Sequence, residues 1–237
     1  GTNSISLAGV GNFDDSTDID SETSIDDIGG VAATGTYLFN ETLDLGAVFS
    51  LDLRKLIQTD SVYSSDLIDS VTDIDARQDF DGTSSVDTNA EVFVQTSQDA
   101  SSYSDFQKFA NGTFKGRAFK FKCVLSTQDT NQDIRVSQLG YFAEFQRRVE
   151  QSTTTIASGA GAKSITFDSP FFTGTSALLG ANSNPPAIGI TAFNMASGDF
   201  FELSSITGSG FTVHFKDSSG SSVDRNFNFT AIGFGKG

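Results

Sequence analysis

The sequence predicts an all-β protein built from two antiparallel β-sandwich modules, which follow an extended acidic N-terminal segment. The chain contains 23 phenylalanines, spaced by glycine, serine, threonine and aspartate, and this composition suits half-buried strands joined by turns. Between positions 43 and 53, leucine, alanine and phenylalanine alternate with other residues, which is the period of a strand with one buried face. Toward the C-terminus, short strand-like segments alternate with turn residues at the spacing of a small sandwich.

The N-terminal segment, residues 1–35, is dominated by aspartate, serine and threonine, with isolated isoleucines between them. Residues 1–53 contain ten acids and no basic residue, and the segment has little apolar surface with which to build a core. Ile19, Ile25 and Ile28 remain available to pair with a sheet edge or with a neighbouring chain. We therefore expect an extended segment that depends on the rest of the molecule, or on the oligomer, for its structure.

Residues 36–150 are predicted to form the first sandwich, of jelly-roll type, with long acidic loops around residues 60–89. Segment 116–122 alternates apolar and polar residues and continues the series of strands. The polar residues 129–133 predict a turn that folds this segment back on residues 134–136 as a hairpin.

A boundary between the modules is predicted at residues 151–162, where serine, threonine, glycine and alanine are typical of a flexible linker. The preceding residues 142–149 match a helical stripe as well as a strand. Residues 163–237 form the second predicted sandwich. Within it, the alternation at residues 211–216 and 226–231, together with the polar turn between them, predicts a terminal hairpin.

The formal net charge of −15 argues against a nucleic-acid partner, which needs a basic face to displace counterions. Eight of the fifteen basic residues lie between Lys108 and Arg148, so the net charge does not exclude a local basic patch in this part of the chain. No stretch approaches the roughly 20 consecutive apolar residues that span a bilayer, and membrane insertion is not expected. Cys123 is the only cysteine, which excludes an intrachain disulfide, and it shares the face of Phe119 and Phe121 as a small core residue.

Several short motifs follow one another along the chain. The C-terminal module contains GFTVHFKDSSG at residues 210–220 and ends in an aromatic strand followed by AIGFGKG. The first module contains GTYLF at residues 35–39, LDLGAV at 43–48, DFDG at 79–82, VQTSQD at 94–99 and GRAFKF at 116–121. In their order and spacing these motifs resemble the C-terminal region of phage tail-fibre and host-specificity tail-tip proteins, which ends in an H-type lectin-like module.

The resemblance implies that residues 163–237 are an H-type lectin-like sandwich and that the protein lies at the distal tail of a virion. It also favours a strand over a helix at residues 142–149. It also implies binding to a host-surface glycan or outer-membrane receptor during adsorption, contacts with other tail proteins, and assembly as a homotrimer. A homotrimer would gain avidity from three weak sites acting together. The alternative is a structural function, in which a fibre-stem or decoration module packs only against its neighbours in the virion.

The candidate ligand-binding residues are polar side chains in or near the predicted terminal hairpin, because sugar recognition needs groups that bind hydroxyls beside an aromatic face. They are His214, Asp224, Arg225, Asn226 and Asp199. The chain has no tryptophan, a departure from the lectin-like family, whose sugar pocket relies on such an aromatic near its last strands. The competing interpretation for each residue is an ordinary exposed strand or turn position, or for His214 a subunit interface.

Ca²⁺ is the one cofactor that the sequence suggests. Asp73, Asp75, Asp79 and Asp81 place hard oxygen ligands close together in one loop. Arg77 occupies a middle ligand position of an EF-hand-like spacing, so a solvated acidic loop is the competing interpretation. No spacing singles out two acids as a general acid and its partner, and we do not expect an enzyme.

Overall fold

The computed structural model describes residues 4–9, 31–63, 88–129, 132–174 and 184–235. These residues form antiparallel sheets and no helix, which confirms the predicted all-β fold class. Among them there is accordingly no helix long and apolar enough to cross a membrane. The strands are β1 (Thr34–Leu38), β2 (Leu43–Tyr63), β3 (Thr88–Ser97), β4 (Gln107–Lys108), β5 (Gly112–Thr127), β6 (Gln132–Glu144), β7 (Arg147–Gln151), β8 (Ile156–Ala157), β9 (Ala162–Thr166), β10 (Ala187–Phe193), β11 (Phe200–Ser204), β12 (Gly210–Lys216) and β13 (Asn226–Phe234).

The first six strands form one sheet in the order β4-β3-β5-β2-β6, with β1 also paired to β5. Strand β5 is central, because β3 occupies one of its edges while β1 and β2 follow each other along the other edge. The β2–β5 register shifts between Asp44 and Phe49, where Gly46 adopts a φ of 79°. This irregularity bends β2, as β-bulges do.

Strands β2 and β5 supply most of the first core. Leu43, Leu51 and Leu53 are buried on β2, and the predicted strand over residues 43–53 is confirmed as the first half of this strand. Cys123 is buried on β5 among the apolar side chains of the same core, as the sequence predicted. Burial raises the pKa of the Cys123 thiol, because the charged thiolate would lose its hydration there.

Strand β6 pairs with the second half of β2, from Asp52 opposite Glu144 to Tyr63 opposite Gln132. It also contacts β3 and β5 without pairing with either, so the sheet curls over its own core. The predicted hairpin between residues 116–122 and 134–136 is therefore wrong. Both edges of β5 are already occupied by other strands, whereas β2 is 21 residues long and offers β6 a free edge.

Two smaller sheets form the C-terminal sandwich. One has the order β10-β13-β7, with β8 also paired to β13, and the other has the order β11-β12-β9. The inner faces meet through aromatic rings. The ring centroids of Phe211 and Phe229 are 5.4 Å apart, and those of Phe215 and Phe227 are 5.6 Å apart. These pairs are in the range of favourable aromatic contacts and hold the two sheets together.

Strands β12 and β13 face each other across this core and are not paired, so the predicted terminal hairpin is wrong. After the turn, Lys216 and Ser222 form an isolated bridge, and residues 223–225 carry the chain to the other sheet. Each strand has one apolar face. Two such faces are buried together when the strands belong to opposite sheets of a sandwich.

The chain passes from the first sheet to the C-terminal sandwich at Phe145 and Gln146, between β6 and β7. Strand β7 ends at the first residue of the predicted linker, residues 151–162, and pairs with β13, and β8 within that linker also pairs with β13. The sheet that contains β13 thus begins inside residues 36–150, which the sequence assigned to the first module. Alternation identifies a strand but carries no information on which sheet the strand joins. The strand predicted for residues 142–149 is present, interrupted at 145–146.

Ile5 and Leu7 bond to the edge of β6, whereas Ala8 and Gly9 pair with Ala32 and Val31. The amide of Ile5 donates to the carbonyl of Val136 at 3.1 Å, and the amide of Val136 donates to the carbonyl of Ile5 at 2.8 Å. This part of the predicted acidic segment, residues 1–35, therefore pairs with a sheet edge. The isoleucines for which such pairing was predicted, Ile19, Ile25 and Ile28, lie outside the described residues.

Candidate functional site

Three of the five predicted ligand-binding residues meet at one end of the C-terminal sandwich. Asp199 lies just before β11, and Asp224 and Arg225 lie just before β13. The Asp199 carboxylate accepts hydrogen bonds from Arg225 Nε at 2.6 Å and from the amide of Ala196 at 2.7 Å. The Asp199 side chain is 2% exposed, so this ion pair is largely removed from water.

Further hydrogen bonds join this cluster to the segment after β8. Asp224 Oδ1 accepts from the amide of Gly159 at 2.8 Å, and the Ser158 hydroxyl accepts from the amide of Arg225 at 2.9 Å. Arg225 Nη1 donates to the carbonyl of Asp224 at 2.8 Å. The contacts tie three loops together and use much of the hydrogen-bonding capacity of these side chains. The contacts explain these side chains as a structural anchor that holds the three loops together. The ligand-binding role of Asp199, Asp224 and Arg225 stays a prediction.

His214 and Asn226 take no part in the ion pair of Asp199 and Arg225, and they lie on different sheets. His214 is on β12, opposite Glu202 of β11, and its Nε2 lies 2.8 Å from Ser222 Oγ. Asn226 is the first residue of β13, where it stands opposite Phe193 of β10. The structure therefore does not combine the five predicted residues into one site.

The predicted calcium ligands Asp73, Asp75, Asp79 and Asp81 lie outside the described residues, and the Ca²⁺ site stays a prediction. Within the ranges that the structure describes, no group of three or more His, Cys, Asp and Glu side chains is placed to hold a metal ion.

A cleft with a volume of about 490 Å³ lies where the two modules meet. The backbone closes this junction from both sides. The amide of Phe172 donates to the carbonyl of Phe234 at 2.8 Å, and the amide of Gly235 donates to the carbonyl of Gln146 at 3.0 Å. The end of β13 is thereby fastened to the segment between β6 and β7, which gives the cleft a defined wall. We call this feature the junction cleft.

Aromatic rings form the floor of the junction cleft. Phe145 and Phe172 stack with their centroids 4.0 Å apart and their planes at 13°. Phe49, from the first core, packs edge-on against both rings, with centroids 6.1 Å from Phe145 and 5.6 Å from Phe172. Phe234 also lines the cleft and is 43% exposed. An accessible phenyl ring of this kind offers a flat apolar surface to a ligand.

Polar side chains complete the lining of the junction cleft. They are two carboxylates and two carboxamides, from Asp52, Glu144, Gln146 and Asn184. Carboxylates accept hydrogen bonds, and carboxamides both donate and accept them. An aromatic floor with a few polar groups is the usual composition of a small-molecule site. A sugar, with its apolar ring face and its hydroxyls, matches both parts of this lining.

The sequence did not predict these lining residues as a site. Phe234 carries the one local signal of an exposed aromatic residue. Phe227 and Phe229 point from β13 into the core of the C-terminal sandwich, and the even-numbered position of Phe234 falls on the opposite face of the strand. Asp52 and Glu144 become neighbours only through the register of β2 and β6. No local pattern in the sequence contains that pairing.

Comparison with known proteins gives no relative to set beside this geometry. No protein-family model matches the chain, and neither a curated protein nor a solved structure matches it. The resemblance to phage tail proteins therefore stays a prediction, and the function is argued from the junction cleft and the motifs.

Proposed function

We propose that this chain is a segment of a phage tail fibre or tail tip that binds a host-surface receptor during adsorption, with glycan as the receptor. The observation that carries the proposal is the junction cleft, in which a 43% exposed Phe234 lies beside carboxylate and carboxamide groups. Such a lining suits the apolar face and the hydroxyls of a sugar. The motifs along the chain support the same class of protein.

The proposal places the protein at the distal tail of the virion, as a homotrimer in contact with other tail proteins. A single open cleft of this size gives weak binding, and three copies on one fibre raise the effective affinity by avidity. Light scattering of the purified protein tests the assembly. A trimer is expected, and a monomer at micromolar concentration contradicts the homotrimer.

A structural virion module is the second candidate function. It is favoured by large apolar side chains on the outer face of the sheet containing β13, where Val149, Phe193 and Phe234 are all exposed. Exposed apolar surface of this kind is typical of contacts with neighbouring proteins. In this function the sandwiches would pack against other tail or capsid proteins and bind no receptor.

Competition of phage adsorption separates the two functions. Purified protein is added to host cells before the phage, and the fraction of adsorbed phage is measured. The receptor-binding function predicts that the protein binds cells and reduces adsorption in a dose-dependent way. A protein that neither binds cells nor reduces adsorption supports the structural function and contradicts receptor binding.

A further inference from the structure

We propose that the junction cleft binds a sugar that is neutral or carries an amino group. This inference rests on the proposed receptor-binding function, which it deepens by naming the site and the class of ligand. Its central observation is the placement of Asp52 and Glu144. These two residues are direct cross-strand partners on β2 and β6, and both side chains line the cleft.

Directly opposite residues on neighbouring antiparallel strands project from the same face, with Cβ atoms about 5 Å apart. Two carboxylates in that arrangement repel each other, which is unfavourable for the folded protein. Only one of them has a cationic partner among the described residues, since Glu144 Oε2 pairs with Arg54. Asp52 has a hydroxyl partner instead, because its Oδ1 accepts from Thr113 Oγ1 at 2.5 Å.

One oxygen of each carboxylate is left for a ligand. Asp52 Oδ2 and Glu144 Oε1 make no hydrogen bond to any residue that the structure describes. Carboxylate oxygens only accept hydrogen bonds, so they require donors from the ligand. Two neighbouring hydroxyls, or an ammonium group, would supply those donors and would reduce the repulsion between the carboxylates.

The same pair disfavours an acidic group at its own side of the cleft. Among the described residues that line the cleft there is no lysine, arginine or histidine, and the Arg54 guanidinium beside it is engaged by Glu144. Arg147 is an exposed cation directly opposite Phe234 on β7, so the effect of the two carboxylates is confined to their side of the cleft. A uronic or sialic acid whose carboxylate bound there would bring a third negative charge next to Asp52 and Glu144. Like-charge contacts of this kind suppress the wrong partner.

The remaining lining fits a sugar ring. Phe234 offers its exposed face to the C–H groups of the ring, and the side-chain amides of Gln146 and Asn184 have no hydrogen bond to other described residues. By contrast, the predicted residues Asp199 and Arg225 are engaged with each other. Unlike those two side chains, the amides of Gln146 and Asn184 are therefore free to bind a hydroxylated ligand.

A glycan array that carries neutral, amino-bearing and acidic oligosaccharides tests the ligand class. Binding is expected for neutral or amino-bearing members. Salt distinguishes these two sources, because screening weakens binding of an ammonium group and leaves binding of a neutral sugar unchanged. Preferential binding of acidic members overturns the proposal, and so does the absence of binding to every member. Adsorption competition then reports separately on the proposed function, which survives if the protein still blocks phage.

Variants of the lining test the location. Glu144→Gln and Phe234→Ala are each expected to weaken binding of the preferred glycan about tenfold, since each removes one main contact. The matched controls are Glu91→Gln, which also removes a carboxylate paired with a basic side chain, here Lys108, and Phe200→Ala, which removes a phenyl ring that is 41% exposed. Thermal unfolding checks that all four variants fold. Unchanged binding by the cleft variants, or an equal loss in the controls, overturns the assignment of the site.

Discussion

The ion pair of Asp199 and Arg225 has the least exposed carboxylate among the ion pairs of the described residues. Replacing Arg225 by alanine leaves that carboxylate buried without its cation. Removing one partner of a buried pair is costly, and we expect Arg225→Ala to lower the free energy of unfolding by about 3 kcal/mol. Urea denaturation followed by circular dichroism measures this change.

Two further variants make the Arg225 experiment specific. Arg225→Lys keeps the charge and is expected to lose less stability than the alanine variant. Lys108→Ala breaks an ion pair in which the lysine side chain is 67% exposed, and a loss of less than about 1 kcal/mol is expected there. Equal losses for Arg225→Ala and Lys108→Ala would show that burial of Asp199 does not contribute as argued.

We expect the stability of the first module to depend on pH through Asp99. Its pKa is lowered because the amides of Ser102 and Ser101 and the hydroxyl of Ser97 donate hydrogen bonds to the carboxylate. A lowered pKa contributes stability above the ordinary carboxyl value of about 4, and that contribution is lost as the pH falls. Asp99→Ala is therefore expected to be less stable than the native protein at pH 7, with the difference shrinking toward pH 2.

Urea midpoints across this pH range test the role of Asp99. Asp105→Ala is the matched control, because it removes an exposed carboxylate from the same loop that accepts no such set of hydrogen bonds. The control is expected to track the native protein at every pH. A gap between Asp99→Ala and the native protein that stays constant from pH 7 to pH 2 would contradict the assignment.

At the scale of elements, strands were predictable and their partners were not. The alternation at residues 211–216 and 226–231 correctly predicted β12 and β13, since apolar residues at every second position are typical of a half-buried strand. Both predicted hairpins were wrong, because pairing depends on which edges are free and which apolar faces must be buried together. Those conditions are set by distant strands.

The pairing of β12 with β9 depends on the absence of a side chain at Gly210. A Cβ atom at that position would lie 2.1 Å from the carbonyl oxygen of Ile165. We expect Gly210→Ala to push the two strands apart and to lower the free energy of unfolding by about 2 kcal/mol, as overpacking does. Gly189→Ala on β10 is the control, because the nearest contact of its Cβ is at 3.8 Å.

Chemical denaturation of both glycine variants measures the difference. Gly189→Ala is expected to stay within about 0.5 kcal/mol of the native protein. Similar stabilities for the two variants would mean that β9 and β12 adjust to the added methyl group without cost. The close approach at Gly210 would then not specify the pairing.

At the scale of the whole molecule, the sequence predicted two modules but not how they join. The junction cleft takes Asp52 and Glu144 from strands of the first sheet, and Phe234 from the last strand of the chain. These residues are remote from one another in sequence, and only the β2–β6 register and the return of β13 to Gln146 bring them together. A flexible linker between independent cores, as the composition of residues 151–162 suggested, would not build such a cleft.

The aromatic contacts at the junction predict that the two modules unfold together. The ring of Phe172 packs in the first core against Phe49 and Phe145, and its backbone amide binds the end of β13, so the residue links the first core to the C-terminal sandwich. Differential scanning calorimetry of the native protein is expected to give one transition. Phe172→Ala removes the ring that anchors this residue in the first core and is expected to separate that transition into two. Phe229→Ala is the matched control, since this buried phenylalanine lies wholly inside the C-terminal core. The control should keep one transition at a lower temperature, because the modules remain coupled. Two transitions in the native protein, or one in Phe172→Ala, would show that the junction does not couple the modules.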